Sequence, residues 1–160
     1  MPKAVTPPIC PPCGLVARLT DGVEIYPHRR DLHAKPMWKC EGCGGYVGCH
    51  DGTTKPLGTP AGPELRKARR ILHEQMIDPL WMEADRSGLY RPEDAKARAI
   101  IRGAARNRVY AYLAFHLGRA KADTHTGVFD LETCRQAWRV LNGVSYSQIR
   151  DWAKDQKVAA

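Results

Sequence analysis

The chain has 160 residues, 43% of them hydrophobic, and carries 25 Lys/Arg against 17 Asp/Glu for a formal charge of +8. It has no apolar run long enough for a membrane span, and no apolar leader follows the opening Met-Pro-Lys. A membrane-spanning helix and an exported, disulfide-built protein are therefore not expected, and the cytoplasm is the expected location. The charge is uneven, +2 over residues 1–62 and +6 over residues 63–160. An excess of this kind favours an acidic partner, most commonly nucleic acid.

Cys10 and Cys13 form the first Cys-x2-Cys pair, and Cys40 and Cys43 form a second after a gap of 26 residues. This is the spacing of a tetrahedral zinc site, and four thiolates fill the tetrahedron, leaving no position for water or substrate. The expected ion is therefore one structural Zn2+. A disulfide framework is the rival reading, and the lack of an export signal argues against it. Each pair is followed at once by glycine, Gly14 and Gly44, as a tight knuckle needing positive φ would require. An amino-terminal segment of about 60 residues is marginal as a core of its own, so the metal is expected to replace part of one.

Between the pairs, residues 15–19 and 23–26 read as strands around Asp21-Gly22, a strong two-residue hairpin signal. The implied register is untidy, setting Arg18 opposite Ile25 and Leu19 opposite Glu24. Trp38 leads into the second knuckle, where it can cover the apolar side of the metal site, and a third strand is expected at Tyr46-Val47. Residues 53–62 turn to glycine, proline and threonine, which marks a linking loop. The expected organisation is a zinc ribbon at 1–52, that loop, and a helical domain at 63–160.

Pro63 opens a helix over 63–77, with Leu65, Ala68, Leu72 and Met76 on one face and Asp78-Pro79 as its end. A helical turn carrying Leu80, Trp81 and Met82 follows, closed by Ser87-Gly88. Residues 92–117 are helical by propensity, with Gly103 or Asn107 as the place for a bend. Asp130 caps a helix over 131–141 that Asn142-Gly143 ends, and Ser145-x-x-Gln148 is a capping box for a last helix through about residue 154. The fold class is α+β: a small zinc ribbon (β-hairpin plus third strand) packed on a mainly α-helical domain.

The string Trp38-Lys39-Cys40-Glu41-Gly42-Cys43-Gly44-Gly45-Tyr46-Val47-Gly48-Cys49-His50, with Gly52-Thr53 and Pro56-Leu57-Gly58 after it, resembles a zinc-finger-containing domain of unknown function found in tailed bacteriophages and prophages. The resemblance continues through Leu65-Arg66, Arg69, His73, Asp78, Leu80-Trp81, Tyr110, Tyr112-Leu113-Ala114, His125, Gly127 and Phe129 to about Cys134. It implies that Cys10, Cys13, Cys40 and Cys43 are the metal ligands and that the chain works in a bacterial host cell; it implies no activity. The basic stretch over residues 91–106 looks like additional material.

Residues 95–122 hold seven Lys/Arg and no acidic residue, and Arg98, Arg102 and Arg106 recur every four positions along one helical face. Such a stripe can follow a phosphate backbone, or it can be a solvated face. With Arg66, Lys67, Arg69 and Arg70 it makes up the candidate nucleic-acid surface. Tyr110, Tyr112 and Phe115 read as core at helical spacing, which favours duplex or backbone contact over base stacking. Zinc ribbons also dock proteins, so a docking module that inhibits or redirects a host factor is the second reading. A metal-dependent nuclease using His50 is the third, on a loose motif match. No phosphate loop or Ser-His-Asp arrangement is present, so no catalytic residues are assigned. Cys49, Cys134, His73 and His125 match no ligand spacing.

Overall fold

The computed structural model describes residues 4–159, and the chain divides into two compact units between Lys67 and Ala68. The first unit is built on a three-stranded antiparallel sheet in the order β1 (Arg18–Asp21), β2 (Pro36–Lys39), β3 (Tyr46–Gly48). In its register Leu19 lies opposite Trp38, and Trp38 opposite Val47. Met37 and Trp38 are both buried; neighbours on a strand point to opposite faces, so β2 is covered on both. The Trp38 indole N–H donates to the Thr54 carbonyl at 2.8 Å, Leu57 donates its backbone N–H to Gly48, and Ala61 pairs with Tyr46. Residues 53–62 thus run back along β3 and form part of this unit.

The hairpin expected around Asp21-Gly22 does not form. Asp21 instead ends β1 and caps a single-turn helix, α1 (Gly22–Ile25), its carboxylate accepting the Val23 and Glu24 N–H groups at 3.0 and 3.4 Å. That turn brings Glu24 onto Lys39 Nζ at 2.7 Å, Arg18 Nη2 at 2.9 Å and the Thr20 hydroxyl. The Lys39 ammonium, with Thr20 and Arg18, holds the Glu24 carboxyl down at about 2. Gly22 does not have the positive φ a type I′ turn needs. It is required by space, since a Cβ there would lie 1.7 Å from the Leu32 carbonyl oxygen. The hairpin of this ribbon joins β2 to β3, with the second knuckle as its turn.

In the helical part, α2 (Pro63–Leu72) does not stop at Asp78-Pro79 as expected. It opens into a π-helical turn (His73–Ile77) and continues as α3 (Asp78–Met82). Proline lacks an N–H and its ring collides with the carbonyl four residues back; the wider turn accommodates both. The same widening shifts the buried face, so that Ile77 follows Leu72 into the core at a five-residue step in place of Met76. It also sets His73 beside Asp78, Nδ1 to Oδ2 2.9 Å, and the Asp78 carboxylate accepts the Trp81 indole N–H at 3.0 Å.

Helix α4 (Ala95–Leu117) runs through Gly103 and Asn107 without a break, from an Asp94 cap to Gly118 at φ 63°. Its Ala105, Val109 and Leu113, each at 0% exposure, form the stripe at the centre of the second unit. Around it pack α3, α5 (Leu131–Leu141) and α6 (Tyr146–Ala159). The later caps lie where the sequence puts them. Asp130 accepts the Thr133 N–H at 2.7 Å, Gly143 takes φ 76°, and Ser145 and Gln148 exchange N–H bonds at 2.8 and 3.3 Å.

Two glycines of the first unit separate space from backbone preference. Gly52, at φ 69° with nothing within 4 Å of an added Cβ, pays only for its left-handed backbone on change to alanine, about 1 kcal/mol. Gly22→Ala drives a methyl into a carbonyl that no rotamer can move, and is expected to cost at least about 3 kcal/mol. Chemical denaturation of the two variants checks the order.

Candidate metal centre and basic helical face

The two knuckles are built alike. Cys10 donates its N–H to Leu15 O at 2.8 Å and Cys40 to Gly45 O at 2.7 Å, while Gly14 and Gly44 return theirs to the Cys10 and Cys40 carbonyls. The glycines sit at φ 67° and 73°, the left-handed conformation that closes each turn. The four Sγ atoms lie within 4.8 Å of one another, Cys10 and Cys43 at 3.6 Å, and none is in a disulfide. Thiolates about 2.3 Å from a tetrahedral ion sit about 3.8 Å apart, so the donor set fits zinc.

The electrostatics of the four thiols are those of a site needing a cation. N–H groups of Cys43 and Gly42 pull the Cys40 thiol down to about 7, whereas burial pushes Cys10 up to about 12 and the contact with Cys43 raises Cys13. Cys10 and Cys40 are fully buried. Four sulfurs cannot ionise together at this spacing without a positive charge among them, and a bound ion supplies it while displacing their protons. Arg18 bonds both Glu24, at 2.9 Å, and Glu41 inside the second knuckle, at 2.9 Å, joining β1, α1 and that knuckle.

Three antiparallel strands with a four-cysteine cluster closing two matched knuckles define a zinc-ribbon protein with one structural zinc site. A family model described as a zinc-finger-containing domain matches residues 6–144, and the chain belongs to that family. No curated protein and no solved structure matches it.

The seven basic residues singled out in the sequence divide sharply. Lys67, Arg70 and Arg98 are exposed, and among the described residues none of the three has an ion-pair partner. Arg106 is exposed, with its guanidinium 5.6 Å from the Trp81 ring centroid and 5.7 Å from that of Tyr110. The other three are engaged. Arg66 lies 3.9 Å over the Tyr46 ring and donates to Ala61 O at 2.6 Å. Arg69 is buried, which lowers its pKa, and Nε donates to Phe129 O at 2.8 Å. Arg102 reaches the buried Asp85 carboxylate with Nε at 2.9 Å and Nη2 at 3.2 Å, and holds that acid below the usual carboxylate range. Arg66 and Lys67 belong to the first unit, the other five to the second.

His50 is exposed in the first unit, beside a groove of about 740 Å3 that Asp31, Lys35 and Thr53 also line. Among the described residues, the four cysteines are the only group of three or more His, Cys, Asp or Glu side chains close enough to share an ion. Cys49 and Cys134 are free thiols, both raised by burial. Sequence reasoning missed the Arg102–Asp85 pair, since nothing in the chain marks Asp85 as buried. It also placed Phe115 in the core, whereas the ring is 59% exposed. The neighbouring polar His116, also exposed, was the available signal.

Purified protein is expected to carry one zinc ion per chain by elemental analysis, and Cys40→Ser to lose it. Chelation should release amide-exchange protection across β1, β2 and β3 while leaving the α4 amides protected. Metal-free protein with an intact sheet would contradict this assignment.

Proposed function

We propose that this zinc-ribbon protein binds nucleic acid through phosphate contacts from its basic helical faces, with the metal as a non-catalytic scaffold. The observation that carries the reading is that residues 95–122 hold seven cations and no acidic residue. On α4 the exposed Arg98 and Arg106 stand two turns apart on one face, and on α2 Lys67 and Arg70 are exposed. Arg102, between Arg98 and Arg106, is committed to Asp85, and Arg66 and Arg69 to internal partners; these three stiffen the basic elements rather than reach for phosphate. The resemblance to a phage and prophage domain supports a phage- or prophage-encoded protein working in the host cytoplasm. No helix among the described residues is long and apolar enough to cross a membrane.

One observation favours a docking module as a second reading. Ile9, Leu15, Val16, Leu19 and Val23 of the first unit are all exposed, between 43% and 63%. Partners captured through the full chain should then survive nuclease treatment and be lost in an Ile9→Asp, Val16→Asp variant.

On the nucleic-acid reading, affinity for a DNA or RNA duplex falls steeply with salt. Arg98→Glu with Arg106→Glu is expected to reduce the slope of log affinity against log salt by about 0.9 for each phosphate no longer neutralised. Arg102→Glu behaves differently, because it sets a carboxylate against buried Asp85 and lowers the melting temperature. Binding that does not respond to salt, or to the Arg98, Arg106 reversal, defeats the reading.

A further inference from the structure

Beside the arginine stripe, α4 carries a second set of residues on the side that meets α6. Arg108, Tyr112, Phe115 and His116 follow one another along α4 at steps that keep them on neighbouring positions of the same face. Arg108 Nη1 donates to the Tyr146 hydroxyl of α6 at 3.0 Å and lies 3.4 Å from the Tyr90 hydroxyl; the two hydroxyls are 3.0 Å apart. One to two turns further on, the Trp152 ring of α6 meets Tyr112 edge-on at 5.2 Å and Phe115 at 5.4 Å, and His116 lies 4.3 Å from Tyr112.

Both halves of this face lack something. The first is rich in donors. It has two guanidinium groups, those of Arg108 and Arg150, the latter 5.9 Å over Tyr90, and two phenol hydroxyls. Among the described residues Arg108 has no acidic partner, and Arg150 has Asp151, at 3.5 Å and shared with Lys154. Among the described residues Arg150 Nε is buried with no hydrogen-bond partner, and two phenols bonded to each other use one proton between them and keep the other for a further acceptor. An anionic oxygen is the group that satisfies such a cluster. The second half is a contiguous set of rings, of which Phe115 is 59% exposed. A lone exposed apolar side chain is ordinary, but a supported ring group on a basic helix without a single acidic residue is not.

We propose that this α4–α6 face binds single-stranded nucleic acid, a base stacking on Phe115 against the Trp152 support and a neighbouring phosphate taken by Arg108 and Tyr90. The step from residue 108 to 115 rises about 10 Å along a helix, a span of one to two extended nucleotides between the phosphate and the stacked base. Stacking on an aromatic platform next to cations is how strands are bound without base-edge readout, because every base has a π-face. A duplex keeps its bases stacked on each other and has none to offer. The inference rests on the nucleic-acid reading above and changes its preferred partner from duplex to single strand.

The test is fluorescence anisotropy of the full zinc-loaded chain with labelled oligo(dT), oligo(U) and a duplex of equal length at low salt. The single strands are expected to bind more tightly than the duplex. Phe115→Ala, a change at an exposed position, should weaken single-strand binding about tenfold or more while leaving duplex binding and the melting temperature unaltered. Phe115→Trp should retain it. Equal or tighter duplex binding, or a Phe115→Ala variant that holds oligo(dT) and oligo(U) like the parent, overturns the proposal while sparing the broader reading. If no oligonucleotide of any kind binds, the broader reading falls with it, and the ring face is left to a protein partner.

Discussion

Four thiolates gathered within 4.8 Å are stable together only around a cation, and the first unit is organised by that requirement. The knuckles are the ends of other structure. Cys40 and Gly45 close the turn between β2 and β3, and Cys10 and Leu15 close a matching one that brings Ile9 against Val16. Fixing the four sulfurs therefore fixes the register of the central hairpin and the entry of the chain towards β1. Met37 and Trp38 of β2 and Leu65 add the large buried side chains, with Ala17 and Ala61 beside them, which is little core for a unit of this length. The ionic ties of Arg18 to Glu24 and Glu41 are exposed and screened, so they orient α1 and the second knuckle rather than replace the metal.

In the helical part, arginine serves two physical ends that look identical in sequence. Arg69 and Arg102 are committed inside, one to a backbone carbonyl and the other to a buried carboxylate. Removing either would leave a buried polar group without a partner, which costs more than the bond itself contributes. Arg98, four residues before Arg102, has no ion-pair partner among the described residues and is exposed. A periodic stripe thus alternates between anchoring and availability, and the periodicity alone does not say which residue does which. The difference is set by Asp85, brought up from the 3-10 turn Ala84–Arg86, and no local rule foretells it.

What was legible in the chain is what depends on near neighbours. The matched knuckles, the Asp130 cap, the Gly143 terminus and the Ser145, Gln148 box all rest on contacts within about five residues, and each was found. The misreadings share a cause. Asp21-Gly22 is a good hairpin turn in isolation, but the Leu32 carbonyl and the pull of Lys39 and Arg18 on Glu24 made it a helix cap. Asp78-Pro79 is a good helix stop in isolation, but a π turn allowed the helix to pass. Phe115 fits a core spacing, but the core stripe is Ala105, Val109 and Leu113, and α6 supports the phenyl ring from one side only. In each case a partner distant in sequence, or a rarer backbone solution, outweighed a sound local preference.

Several residues that carry the resemblance outside the knuckles have internal roles. Arg66 covers Tyr46, Arg69 holds Phe129, and His73, Asp78 and Trp81 form one bonded set across the π turn. These interactions are internal to their units and define a frame. The exposed cations Lys67, Arg70, Arg98 and Arg106, and the exposed Phe115, all lie outside that set of residues. The family match covers residues 6–144, and this frame describes how the chain folds around the four cysteines and the π turn; on the proposed reading, its chemistry towards a partner lies on positions the frame leaves free. A function for the chain has to be sought on that surface, where charge without counter-charge and rings without cover are the features that call for an occupant.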